Sequence, residues 1–207
     1  WLVSLPNQRL PNQSVSKQAM ATPTMRHRAS CVREAVLGYN ARMKTVLIST
    51  YELGRQPFGL ASPAAWLRRA GAEVICIDTA VQALDRVAVR DAALIGVYVP
   101  MHTATRLAGE LLPQLRELAP GATIVCYGLY APLNASYLQQ RGADSCIGGE
   151  FEAELVKIYA ALGQPPAHHD TPRPIILDKL AFIAPDRRGM PGLSAYANLI
   201  TVNAVGI

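Results

Sequence analysis

The chain has 207 residues, half of them hydrophobic, and a formal net charge of +5. That length can bury one sizeable core, so we expect a single domain with tails. The charge is uneven: residues 1–43 hold six Lys or Arg and one Glu, which leaves 14 basic and 14 acidic residues in the remainder. A neutral folded part argues against a nucleic-acid surface, because such surfaces bind by neutralising phosphates. No apolar run is long enough to cross a membrane, and we expect a cytoplasmic protein.

Three regions are predicted along the chain. Residues 1–42 are rich in Pro, Gln, Asn and Ser and lack periodicity, which predicts a disordered segment or a non-native extension ahead of Met43. Residues 43–163 carry the regular patterns of an α/β domain. Residues 164–207 begin with a Pro-rich stretch and are interpreted as a linker or arm.

Strand and helix patterns alternate through the middle region. Short apolar runs rich in β-branched residues predict strands at 44–50, 73–79, 92–100, 123–127 and 143–147. Apolar positions at helical spacing predict helices at 58–71, 81–90, 101–118, 132–140 and 150–162. Short connections and right-handed crossovers turn this order into an α/β fold, a three-layer, doubly wound, parallel five-stranded sheet of the flavodoxin-like type.

Ligands of such sheets sit beyond the carboxyl ends of the strands, so the residues of these loops indicate which ligands the domain can bind. A phosphate-receiving domain needs acids after strands one and three, where this chain has Ser49-Thr50-Tyr51 and Val99-Pro100. A dinucleotide fold needs GxGxxG after strand one, which is absent, although Asp78 stands at the end of strand two. No acid–base pair for an independent enzyme is evident.

Several short motifs nevertheless occur in a recognisable order. QPFGL (56–60) and WLRRAG (66–71) flank the first helix, Tyr127-Gly128 ends strand four, GGEFE (148–152) follows strand five, and GMPGLSAYANL spans 189–199. Together they resemble the cobalamin-binding-type N-terminal domain of radical S-adenosylmethionine (radical SAM) enzymes. The resemblance covers about residues 44–199, and the order and spacing of the motifs carry it.

The resemblance implies a cofactor and a partner. Cobalamin would lie over the carboxyl ends of the strands, contacted by Ser49, Thr50, Tyr51, Glu52, Tyr98, Val99, Pro100, Met101, Gly128, Leu129, Tyr130, Gly148, Gly149 and Glu150. No DxHxxG motif is present to supply a histidine to cobalt. The CxxxCxxC motif is also missing, so the iron-sulfur cluster and S-adenosylmethionine would belong to a catalytic barrel absent from this chain. No catalytic or metal-ligating residue is therefore expected here.

Two alternatives stay open. Gly148-Gly149 is interpreted either as a tight strand-to-helix turn or as a place where the backbone approaches a ligand closely, and the sequence favours neither. The domain as a whole has a second interpretation, a degenerate module that binds no cofactor and offers a structural or recognition surface, which the histidine-free first loop with Arg55 favours. Cys76, Cys126 and Cys146 lie within strands and are expected to be buried apolar residues.

Overall fold

The computed structural model describes residues 43–162, 175–177, 179–181 and 183–196. The predictions for residues 1–42, and those for 163–174 and 197–207, lie outside the described residues. The strands are β1 (Lys44–Ser49), β2 (Glu73–Asp78), β3 (Leu94–Tyr98), β4 (Thr123–Tyr127), β5 (Ser145–Gly149) and β6 (Ile175–Ile176). The α-helices are α1 (Phe58–Arg69), α2 (Arg86–Arg90), α3 (His102–Leu118), α4 (Ala135–Gln140) and α5 (Glu152–Ala161), and 3-10 turns cover Pro132–Asn134 and Leu193–Ala195.

The sheet is parallel throughout, with the strand order β2-β1-β3-β4-β5-β6. Its first five strands have the flavodoxin-like order 2-1-3-4-5, so the predicted doubly wound α/β fold is confirmed. The described residues form six strands, one more than the five predicted from the sequence. The sixth strand has only two residues and follows a long connection, so it carries no alternating pattern that could have marked it.

Side chains alternate between the two faces of the sheet and form one core on each. Under α1 and α5 the core is built from Leu47, Leu60, Ala64, Leu67, Val74, Leu94, Val125, Tyr127, Ile147, Leu155 and Tyr159. Under α2, α3 and α4 it is built from Val46, Ile48, Ala88, Val89, Ile95, Val97, Ala108, Leu112, Leu115, Ile124 and Leu138. Because both faces are covered, the inner positions of the strands are almost all apolar, and the polar residues stand mostly at the strand ends.

Two predicted helices begin later than the sequence suggested. The helix expected at 81–90 starts at Arg86, because the Asp85 carboxylate accepts hydrogen bonds from the Val87 and Ala88 amides at 3.1 and 2.9 Å and so fixes the start. The helix expected at 132–140 opens with a 3-10 turn before α4 begins at Ala135. The three strand cysteines are buried, as predicted.

The described residues 175–177, 179–181 and 183–196 form an arm that packs against the domain. Ile176 is 2% exposed and pairs with β5, while the Asp186 amide donates to the Ala61 carbonyl at 2.9 Å. Gln56 Nε2 donates to the Pro191 carbonyl at 2.9 Å. The domain therefore covers Ile176, whereas Leu177 and Leu193 stay exposed. Among the described helices, none is long and apolar enough to span a bilayer.

Candidate functional site

The predicted contact residues lie at one edge of the sheet. All strands run in the same direction, so the segments 49–52, 98–101, 128–130 and 148–150 meet at the carboxyl ends of β1, β3, β4 and β5. β1 and β3 are neighbours, and their following helices α1 and α3 cover opposite faces, which opens a crevice between their loops. The sequence therefore identified which segments converge, and the structure shows what each one does there.

Tyr98 turns away from solvent and joins an aromatic cluster with Tyr127 and Phe151. The ring centroids are 5.5 Å apart for Tyr98 and Tyr127, 4.9 Å for Tyr127 and Phe151, and 6.3 Å for Tyr98 and Phe151. The Tyr127 hydroxyl donates to the Gly59 carbonyl at 2.8 Å. A Cβ at Gly59 would overlap the Tyr98 ring, so this glycine lets α1 approach the cluster. The cluster fills the space between the first turns of α1 and α5.

The loop after β1 carries buried polar groups. Thr50 donates to the Ala104 carbonyl at 3.3 Å and ties the loop to α3. The Ser49 hydroxyl is fully buried, and it has no hydrogen-bond partner among the described residues. Burial raises the pKa of Glu52, the negative charge of Asp78 raises it further, and Arg55 opposes both. The end of β1 thus has unused capacity to accept and donate hydrogen bonds.

A cleft of about 560 Å³ opens beside this loop. Its walls are Thr50, Tyr51, Gly54, Thr79, Ala80, Val81, Leu107, Glu110, Leu111, Gln114, Ala195 and Tyr196. Thr50 and Tyr51 are predicted contact residues, and the others were missed. The α3 residues show only helical spacing in sequence, and Ala195 and Tyr196 reach the cleft through the arm, whose path has no local sequence signal.

Tyr196 lines that cleft and lies beside the buried carboxylate of Asp78. Asp78 is 1% exposed and accepts the Ala80 amide at 3.2 Å. The Tyr196 hydroxyl approaches its other oxygen without reaching hydrogen-bond geometry. Burial raises the pKa of both groups. The carboxylate that the sequence identified at the end of strand two is therefore present at the edge, but it lies under the arm.

The loops after β3 and β4 lie against each other at the edge. Gly128 has φ +115° and its backbone lies against Val99, where the left-handed conformation favours glycine. Tyr130 donates its amide to the Val99 carbonyl at 3.0 Å, which joins the two loops. Leu129 between them is 70% exposed. This pair of loops forms a firm platform with an apolar tip.

The Gly148-Gly149 turn is used by the chain itself. The Glu150 amide donates to the Ile176 carbonyl at 2.9 Å. A side chain at Gly149 would collide with the Ile176 backbone, and Gly149 has φ +71°. The close backbone approach that the glycine pair suggested therefore serves β6, and the donor expected for a ligand already has a partner.

The two glutamates of the GGEFE motif have different environments. Glu150 is half-buried at the edge, whereas Glu152 is 3% exposed and accepts a hydrogen bond from the Ser62 hydroxyl at 2.6 Å. Burial raises the pKa of Glu152, and the Ser62 hydroxyl opposes the shift. Glu152 thus joins α1 to α5, a contact between distant segments for which the sequence carries no local signal.

Apolar side chains surround the edge. Leu53 and Phe58 are each 50% exposed, and Leu133 beside the β4 loop is 73% exposed. With Leu129 and Leu193 they form what we call the apolar rim, five large side chains from the edge loops and the arm. No group of three potential metal ligands occurs in the part of the chain that the structure describes. His102 is exposed at the first residue of α3.

Comparison with known proteins assigns no family to this chain. No protein-family model matches the chain, and no curated protein matches it. A response regulator protein from Burkholderia multivorans is 21% identical over 62% of this chain and all of that one, with a TM-score of 0.40. The pilus assembly protein CpaE from Caulobacter crescentus is 20% identical over 58% of this chain and 93% of that one, also at 0.40. The TrkA-N domain of an Escherichia coli inner membrane protein is 15% identical over 61% and 100%, again at 0.40.

Proposed function

We propose that this chain is a cobalamin-binding-like N-terminal module of a radical SAM protein, and that the corrin lies on the carboxyl edge of its sheet. The apolar rim is the observation that supports this most directly. Large exposed apolar side chains concentrate at a surface that binds something, and Leu129 and Leu133 project from a platform fixed by the Tyr130 amide. A broad ligand with apolar faces and amide groups at its periphery suits such a surface.

The polar residues of the edge fit the periphery of that ligand. Tyr51, Glu52 and Glu150 are half-buried beside the rim, and carboxylates accept hydrogen bonds from amide groups. The side chain of Tyr98 is committed to the aromatic cluster, so its backbone is what remains for contact. None of the edge segments carries a histidine, so these residues would hold the corrin without a protein ligand to cobalt. When bound, cobalamin would supply methyl-transfer or related radical chemistry to the full-length enzyme.

This proposal assigns the remaining chemistry to another polypeptide region. The iron-sulfur cluster and S-adenosylmethionine would be bound by the catalytic barrel, which is the partner that the apolar rim would also face. The residues of this chain would bind and orient the corrin and exclude water from it. We assign none of them to proton transfer.

Titration with hydroxocobalamin tests the proposal. The full chain is titrated spectrophotometrically and passed over a gel-filtration column, and we expect the corrin absorbance to travel with the protein in a base-off form. Leu129→Asp/Leu133→Asp places charge on the rim and should abolish retention. Val87→Asp is the matched control, because Val87 is 65% exposed on α2, away from the edge loops. Loss of corrin retention in both the rim variant and the control, or no corrin retention by folded wild-type protein, would refute corrin binding at the rim.

A second function is favoured by the arm. The Ile176 carbonyl accepts a hydrogen bond from the Glu150 amide, and Tyr196 lies over Asp78. Two groups that a cofactor would contact are therefore already in contact with the arm. The edge would then serve as a recognition surface for the catalytic barrel without any cofactor. Natively folded protein that retains no corrin, yet is trapped by a photo-crosslinker at position 129 against the barrel, would support this function instead.

A further inference from the structure

A second cleft, of about 520 Å³, lies beside α1 on the flank of the domain. It is lined by Ala65, Arg68, Arg69, Ile183, Ala184, Pro185, Asp186, Arg187 and Arg188. Four of these nine residues are arginines and one is an aspartate, whereas residues 44–207 as a whole carry 14 basic and 14 acidic residues. Positive charge is therefore concentrated at this cleft, because the rest of residues 44–207 carries 10 basic and 13 acidic residues.

Arg68 builds the cleft by fixing the arm to the helix. Its Nη2 donates to the Val74 carbonyl at 2.9 Å and to the Arg188 carbonyl at 3.0 Å. Its Nη1 lies 3.0 Å from Asp186 Oδ2, and only 17% of the side chain is exposed. These contacts bring two arginine pairs, distant in sequence, to the same opening. The site is thus part of the packed structure and does not depend on a flexible surface side chain.

The four arginines fall into two groups. Arg68 and Arg188 share the Asp186 carboxylate, and Arg188 Nε donates to both of its oxygens at 3.0 and 2.9 Å. These two cations hold the pKa of Asp186 well below its usual range. Arg69 and Arg187 are exposed and have no anionic partner among the described residues. An anion entering the cleft would therefore meet two unpaired guanidinium groups.

Guanidinium groups bind phosphate oxygens in pairs of parallel hydrogen bonds and also stack on flat rings. The cleft combines them with an apolar wall of Ala65, Ile183 and Pro185, and its volume is in the range of small-molecule sites. We propose that this cleft binds a phosphate-bearing small molecule of nucleotide size, with Arg69 and Arg187 holding the phosphate groups. The net negative charge of residues 44–207 outside the cleft favours such a ligand over a nucleic acid, which needs a longer basic surface. This site is separate from the edge residues of the proposed function.

Isothermal titration calorimetry of the full chain with sodium pyrophosphate and with ATP tests the proposal at low and physiological salt. We expect saturable binding that weakens with salt, and Arg69→Ala/Arg187→Ala should weaken it at least about tenfold. Arg86→Ala/Arg90→Ala is the control, because it removes two exposed arginines of α2 and the same net charge. Equal affinities for both probes would identify a phosphate site, and tighter ATP binding would identify a nucleotide site.

Three results would overturn the proposal. The first is no saturable binding of either probe by the folded protein. The second is an equal loss in the control variant, which would indicate a general charge effect. The third is tighter binding of a single-stranded RNA hexamer than of ATP, because the cleft would then belong to a longer nucleic-acid surface. Circular dichroism of each variant verifies that it is folded.

Discussion

Removing the Ser62 hydroxyl should destabilise the protein through Glu152. The two side chains join α1 to α5 by a 2.6 Å hydrogen bond, and the residues are 1% and 3% exposed. Ser62→Ala leaves the buried carboxylate without this donor. Hydrogen bonds to charged groups contribute about 1.5–3 kcal/mol, so we expect the free energy of unfolding to fall by about 2 kcal/mol at pH 8.

The size of this loss should depend on pH. Burial raises the folded-state pKa of Glu152 above its ordinary 4.5, so the folded protein holds this proton more tightly than the unfolded chain does. The stability that Glu152 contributes is therefore complete below pH 4.5 and is lost as the pH rises through the folded-state pKa. Without the Ser62 donor that pKa rises further, so Ser62→Ala should cost more at pH 8 than at pH 4.

Urea unfolding followed by circular dichroism at pH 4, 6 and 8 measures both effects. Glu152→Gln is the matched variant, because its amide oxygen still accepts from Ser62 and carries no charge. Relative to wild type, the Glu152→Gln protein should become more stable as the pH rises. An equal cost of Ser62→Ala at pH 4 and pH 8, or a loss in Glu152→Gln as large as in Ser62→Ala, would refute the reasoning.

Three further changes test other contacts. Gly59→Ala places a methyl group in the Tyr98 ring and should cost about 1–3 kcal/mol in urea unfolding; a clash is the wrong cause if Tyr98→Leu recovers none of it. Asp186→Ala should speed hydrogen exchange of residues 183–196 but not of β3, and unchanged exchange in the variant would contradict this. Because the pKa of Asp186 is depressed, docking of the wild-type arm should weaken only as the pH falls below about 3.8. Cys76, Cys126 and Cys146 are all buried, and burial raises the pKa of Cys76 to about 11, so in a Cys31→Ser protein lack of access should prevent reaction with Ellman's reagent at pH 8 before unfolding; rapid native-state labelling would show that the strand cysteines are accessible.

The alternation of apolar patterns predicted the fold because a parallel sheet is buried on both faces. Lys44–Ser49 and Thr123–Tyr127 appear almost as expected, and the strand order follows from short right-handed connections. The convergence of the edge segments followed from the same geometry. These predictions depend on local composition and on general rules of topology, and both can be read from one sequence.

What the sequence could not predict depends on contacts between distant segments. Ile176 pairs with β5, Asp186 binds Arg68, and Tyr196 approaches Asp78. None of these contacts leaves a periodic pattern. They also give a structural role to two residues of the GGEFE motif: Gly149 accommodates β6, and Glu152 binds Ser62. The motif drew attention to these residues, and only the packing of distant segments shows what they contact.

The two residues of β6 also protect the sheet from other molecules. Without Ile175 and Ile176, the Gly148–Gly149 end of β5 would expose unpaired backbone groups, which can pair with a strand of another chain. Shortening the polypeptide to residue 162 would therefore produce a protein prone to self-association, even though every helix of the α/β unit is retained. The same exposure would follow in the intact chain whenever a partner draws the arm away. Docking of the arm thereby also limits pairing of β5 with a strand of another chain.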